Sequence, residues 1–102
     1  MLENLSIELA VDLAKMAMAE LEIQKALEIY RRAVDKAKTA AAALKANWEG
    51  DAANEFEREQ ANAYKWHVCI IDIIGAFISE LERAIRTYRE YEERIKALIH
   101  SS

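Results

Sequence analysis

Ala46-Asn47-Trp48-Glu49-Gly50-Asp51 decides how this chain folds. It is the one clear break in an otherwise continuous helical pattern. The chain has no Pro and two Gly, and Gly50 is one of the two. Gly and Pro are the residues that most disfavour a helix interior. The segments on either side therefore read as two long helices. Joined by a short Gly-containing turn, they fold back on each other as an αα-hairpin. Trp48 is the large residue at the hinge.

Working back from the turn, apolar residues recur at alternating steps of three and four. Trp48, Leu44, Ala41, Ala37, Val34, Tyr30, Leu27, Ile23, Met16, Leu13 and Leu9 share one stripe, interrupted by Glu20. Working forward, Ala53, Phe56, Ala63, Ile70, Ile74, Phe77, Leu81, Ala84, Tyr88, Tyr91, Ile95 and Leu98 form another, interrupted by Gln60 and His67. A period of 3.5 is that of a left-handed supercoil seam. The spacing predicts helix one over about 4–46, a turn over about 47–50 and helix two over about 51–99, in a single domain spanning 1–102. Asn4 or Ser6 is the expected first N-cap and Asp51 the second. Folding the stripes together about Gly50 sets Leu44 against Phe56, Tyr30 against Ile70 and Leu27 against Ile74. Glu20 then falls near Arg83 and Arg86, which predicts an ion pair.

Two stripes alone bury too little for a robust monomer. Helix two has more apolar surface than one seam needs. Tyr64, Val68, Ile71, Gly75, Ile78 and Ile85 flank the seam on one side, and Trp66, Cys69 and Ile73 on the other. An arc this wide is expected to be covered. Gly75 costs about 1 kcal/mol relative to Ala inside a helix, and close approach of another backbone would compensate. The expectation is an all-α hairpin that dimerises into a four-helix bundle through Tyr64, Val68, Ile71, Gly75, Ile78 and Ile85.

Composition narrows the function classes. The net charge of -4 argues against nucleic acid as a partner. Residues 1–47 hold seven basic and seven acidic side chains, and residues 48–102 seven and eleven, so the second half has the whole acidic excess. The longest apolar run, Val68-Cys69-Ile70-Ile71, stops at Asp72, far short of the ~20 residues a membrane span needs. The first residues lack a positive segment followed by an apolar run, so no Sec-type signal peptide is expected. Cys69 is the only cysteine. It reads as a small hydrophobe on a helix flank, and no intrachain disulfide or cysteine-based metal site is expected. His67 has no companion ligands at suitable spacing and reads as a core or interface histidine. No catalytic set or phosphate-binding loop is present, so the chain is expected to be no enzyme and to need no cofactor.

A central Trp48-Glu49-Gly50 between two long helices is followed by Ala52, Ala53 and Phe56. Forty residues after the Trp comes Tyr88-Arg89-Glu90-Tyr91-Glu92. With this arrangement the chain resembles the WXG family, the small early-secreted-antigen-like substrates of bacterial type VII (ESX) secretion systems. The resemblance covers nearly the whole chain. Trp48 and Gly50 match the Trp-X-Gly motif, and Tyr88 with Glu92 matches Tyr-X-X-X-Asp/Glu. Tyr91 does not match, because residue 95 is Ile. The family pattern departs here in two ways: the acid is Glu, and helical periodicity persists to Leu98 where a flexible tail is usual.

The resemblance implies a hairpin that dimerises into a four-helix bundle and leaves the cytoplasm folded. The implied route is signal-peptide-independent, driven by an FtsK/SpoIIIE-like secretion ATPase. It also implies that Trp48 and Gly50 of one subunit meet Tyr88 and Glu92 of the other as a composite export signal. Within one straight hairpin the two motifs would stand on the order of 60 Å apart at 1.5 Å per residue. The export reading therefore depends on an antiparallel dimer. Two alternatives stay open: a helical adaptor that heterodimerises with a WXG-like partner or a larger type VII effector, and a cytoplasmic coiled-coil scaffold.

Overall fold

The structure, a computed structural model, describes residues 1–101. Two α-helices account for nearly all of them: α1, Leu2–Ala46, and α2, Asp51–Ser101. No strand occurs among the described residues. The protein is an all-α two-helix hairpin. Each helix limit lies within two residues of the one read from the sequence.

Helix persists over such lengths because nothing competes with it. Pro is absent, and Gly75 is the only Gly inside a helix. The start of α1 lies earlier than a polar cap would set it. The Leu5 N–H donates to the Met1 carbonyl at 3.1 Å, so Asn4 and Ser6 sit within the first turns and cap nothing. At the other end, the Asn47 N–H reaches Leu44 O at 3.3 Å and the Trp48 N–H reaches Lys45 O at 3.1 Å. These i→i+3 bonds tighten the last turn and satisfy carbonyls that would otherwise be orphaned.

Gly50 takes the place expected for Asp51. Its carbonyl accepts the Asn54 N–H at 3.0 Å, which is the first bond of α2 and marks the N-cap position. Asp51 is the first helical residue, where a carboxylate still suits the positive end of the helix dipole. Gly50 has φ +107°, the only positive φ among the described residues.

The chain divides into two compact units. The turn unit, Lys25–Gly75, contains the end of α1, the turn and the start of α2. Its buried side chains are Leu27, Val34 and Ala53, the last fully covered at 0% exposure. Around them Tyr30, Ala41, Trp48, Phe56, Ala63, His67, Ile71 and Ile74 are half-buried. The terminal unit joins Met1–Gln24 to Ala76–Ser102. Ile78 and Ile85 are buried there, with Leu9, Leu13, Met16, Ile23, Leu81, Tyr88, Ile95 and Ile99 half-buried.

These burial patterns correct the stripe on α2. Ala53, Phe56, Ala63, His67, Ile74, Leu81, Tyr88 and Ile95 turn inward as expected. Ile70, Phe77, Tyr91 and Leu98 do not; they are exposed, and Ile71, Ile78, Glu92 and Ile99 turn inward in their place. Three of these four swaps fall on apolar doublets, Ile70-Ile71, Phe77-Ile78 and Leu98-Ile99. Steps of three-then-four and four-then-three fit such doublets equally well, so periodicity does not choose between them. On α1 the stripe holds as far as Ala41, except that Ala37 is exposed. There the pattern slips by one residue, so Lys45 is half-buried and Leu44 exposed. An α-helix gains about 20° per heptad on a strict 3.5 repeat, which moves a long stripe sideways.

Candidate functional site at the interhelical turn

Trp48 leaves α1 at the point where the closing turn ends, and its indole is half-buried. It packs on Phe56, one turn into α2, with ring centroids 5.5 Å apart and planes inclined by 47°. Offset aromatic pairs of this kind add about 0.5–1.5 kcal/mol beyond the area they cover. Leu44, expected against Phe56, is exposed, and Trp48 holds that position. Gly50 completes the turn. A Cβ built there meets nothing within 4 Å, so the need for Gly is conformational: L side chains rarely adopt that φ.

Next to the turn, Lys45 is half-buried and its Nζ lies 3.3 Å from Glu57 Oε2. Two turns farther, Lys38 Nζ sits 4.2 Å from the centre of the Tyr64 ring. Between these contacts the helices present alanines to each other, Ala37 and Ala41 from α1 and Ala63 from α2, along a groove of about 690 Å³. Past the groove, the Tyr30 hydroxyl hydrogen-bonds His67 Nδ1, with ring centroids 5.6 Å apart. Tyr30 thus meets His67, one turn from the Ile70 expected. The run Ala40-Ala41-Ala42-Ala43 opposite Ala61 and Ala63 was the sequence signal for this groove.

The second half of the motif lies in the terminal unit. Tyr88 is half-buried and stacks on Tyr91, centroid to centroid 6.4 Å at 44°. The Glu92 carboxylate is 16% exposed and lies 2.6 Å from Lys96 Nζ. Tyr88 and Glu92 face the same way along α2, as their four-residue spacing requires. Trp48 and Gly50 belong to one compact unit, Tyr88 and Glu92 to the other.

The residues expected to meet a partner are placed unevenly. Ile78 and Ile85 are buried within the chain itself, at 8% and 4% exposure. Tyr64, Ile71 and Gly75 are half-buried, and Val68 is exposed. A Cβ at Gly75 meets nothing within 4 Å, so no backbone of this chain crowds it. The opposite flank of α2 is the more exposed one. Within the turn unit Trp66 is 71% and Ile73 64% exposed, with Cys69 and Ile70 also open.

Glu20 is the charge on the α1 stripe. Its carboxyl is held above its ordinary value, first by desolvation and then by a hydrogen bond with Glu82 and that residue's charge; Arg89 pulls the other way. The ion pair expected with Arg83 or Arg86 does not form with Arg83, which bonds Glu80 at 3.2 Å. Among the described residues, no group of three or more His, Cys, Asp or Glu is arranged to hold a metal ion. Among the same residues, no helix is long and apolar enough to cross a membrane.

Set against protein-family models, characterised proteins and solved structures, this chain matches none of them.

Proposed function

We propose that this protein is a non-enzymatic, WXG-like hairpin exported as a folded dimer by a bacterial type VII secretion system. Trp48 and Gly50 of one subunit and Tyr88 and Glu92 of the other form the export signal. The observation that carries this reading is the turn itself. Trp48 is held half-exposed on Phe56 at the end of a two-helix hairpin, and Gly50 supplies the positive φ that the turn requires. A half-buried Trp at a protein's tip is the kind of side chain that anchors recognition. Tyr88 and Glu92 share one helical face at the required spacing.

In this reading the partner-facing surface differs from the flank on which Ile78 and Ile85 lie, because those two are enclosed by their own chain. The dimer forms over Trp66, Ile70 and Ile73, whose exposure would otherwise leave a large apolar patch in water. The same patch favours a second reading, an adaptor whose obligate partner is a larger effector. Size-exclusion chromatography with light scattering separates the two: a homodimer supports the first, and a monomer the second.

The export reading is tested in a bacterium that carries a type VII system. Trp48→Ala and Tyr88→Ala are each expected to keep their helical circular dichroism and to abolish export. Unchanged export of both folded variants would strip Trp48 and Tyr88 of their role in export, and a wild-type chain that is never exported would leave the cytoplasmic scaffold as the better account.

A further inference from the structure

The groove of the turn unit has a composition of its own. Its walls are methyl groups, from Ala37 and Ala41 on α1 and Ala63 on α2, with the Phe56 ring beside them. Larger contacts flank these small side chains: Trp48 on Phe56 toward the turn, and Tyr30 on His67 away from it. The groove between them has a volume of about 690 Å³, within the range of roughly 300–1,000 Å³ typical of small-molecule sites.

Its charge runs against that of the whole protein. Lys38, Lys45 and Lys65 line the groove against a single acid, Glu57, in a chain of net charge -4. Two of the ammonium groups are held at its edge, Lys38 over the Tyr64 ring and Lys45 beside Glu57. Lysine presents a mobile point charge suited to an anionic head that is free to shift. We propose that this groove binds a long-chain carboxylate, its unbranched tail along the alanine walls and its carboxylate among Lys38, Lys45 and Lys65. This inference is independent of the export reading.

The test uses the full chain and hexadecanoate below its micelle concentration. Trp66→Phe leaves Trp48 as the only Trp, a reporter stacked on the groove-lining Phe56. Saturable change in Trp48 emission is expected. Hexadecanol in place of hexadecanoate, or Lys38→Gln, Lys45→Gln and Lys65→Gln combined, should weaken binding about tenfold or more. Added salt should weaken it as well. Ala41→Leu and Ala63→Leu, each checked for helical circular dichroism, should remove it. The single Lys65→Gln variant, expected to bind measurably less tightly, replaces the triple variant if that one does not fold. Equal affinity for hexadecanol overturns the proposal, as do leucine variants that bind unchanged. A chain that takes up no hexadecanoate at any concentration also overturns it and points to a second protein covering the groove.

Discussion

The Trp48 indole rests on the Phe56 ring, 5.5 Å between centroids, and so ties the last turn of α1 to the first turns of α2. The contact spans only eight residues of chain. It closes the turn end of the hairpin with little loop to order. Trp48→Ala removes the ring pair and part of the cover over the turn. A loss of about 1–3 kcal/mol is expected, less than for a fully buried aromatic. A double-mutant cycle with Phe56→Ala should return a coupling of about 0.5–1.5 kcal/mol. Additive losses in urea denaturation would mean that the two rings stabilise the turn separately.

The two glycines should respond in opposite ways. Gly50→Ala places a Cβ at φ +107°, and although no atom obstructs it, the backbone conformation costs about 1–2 kcal/mol. Gly75→Ala places a methyl in open space within a helix and should stabilise the chain by up to about 1 kcal/mol. Thermal denaturation at low protein concentration reads both. If Gly75→Ala instead destabilises, and more so as concentration rises, another chain approaches the helix at that point.

Glu20 gives a pH dependence with a definite sign. Its carboxyl is held above the ordinary 4.5, chiefly by desolvation and by Glu82. The folded protein therefore retains the proton longer than the unfolded chain does. That contribution is complete below about pH 4.5 and is lost as pH rises through the folded value. Glu20→Gln keeps the shape and removes the charge. The variant should match the wild type near pH 4 and exceed it in stability at pH 7, compared by urea midpoints. A difference that stays constant over that range would contradict the assignment.

Much of the hairpin was legible in the sequence, and the reason is physical. A chain without Pro, with Gly at one hinge, has few ways to end a helix, so the limits of α1 and α2 follow from composition. Rotation about the helix axis was less legible. Where Ile70 stands beside Ile71, or Phe77 beside Ile78, the inward member is set by packing against α1, to which period is blind. The partner surface read from the sequence suffered from the same ambiguity, since Ile78 and Ile85 lie inside the chain. Glu20 was recognised as anomalous, but its neighbour is Glu82, because the facing residues differ from those a perfect mirror about Gly50 would pair.

Cys69 reports on the surface that remains. It is exposed beside Trp66, Ile70 and Ile73. If a second chain covers this flank, the thiol should react more slowly with a bulky maleimide as protein concentration rises through the dimer dissociation constant. A rate independent of concentration would place the contact elsewhere or remove it altogether.

Export by a signal divided between two subunits is tested most directly by co-expressing the Trp48→Ala and Tyr88→Ala chains in a bacterium with a type VII system. Under the proposed function, each chain alone would form dimers in which both composite signals are broken. Mixed dimers would restore one, pairing the intact Trp48 of one chain with the intact Tyr88 of the other. The account predicts no export of either variant alone and recovery of both on co-expression. Failure of recovery, with mixed dimers present in the cell, would contradict it.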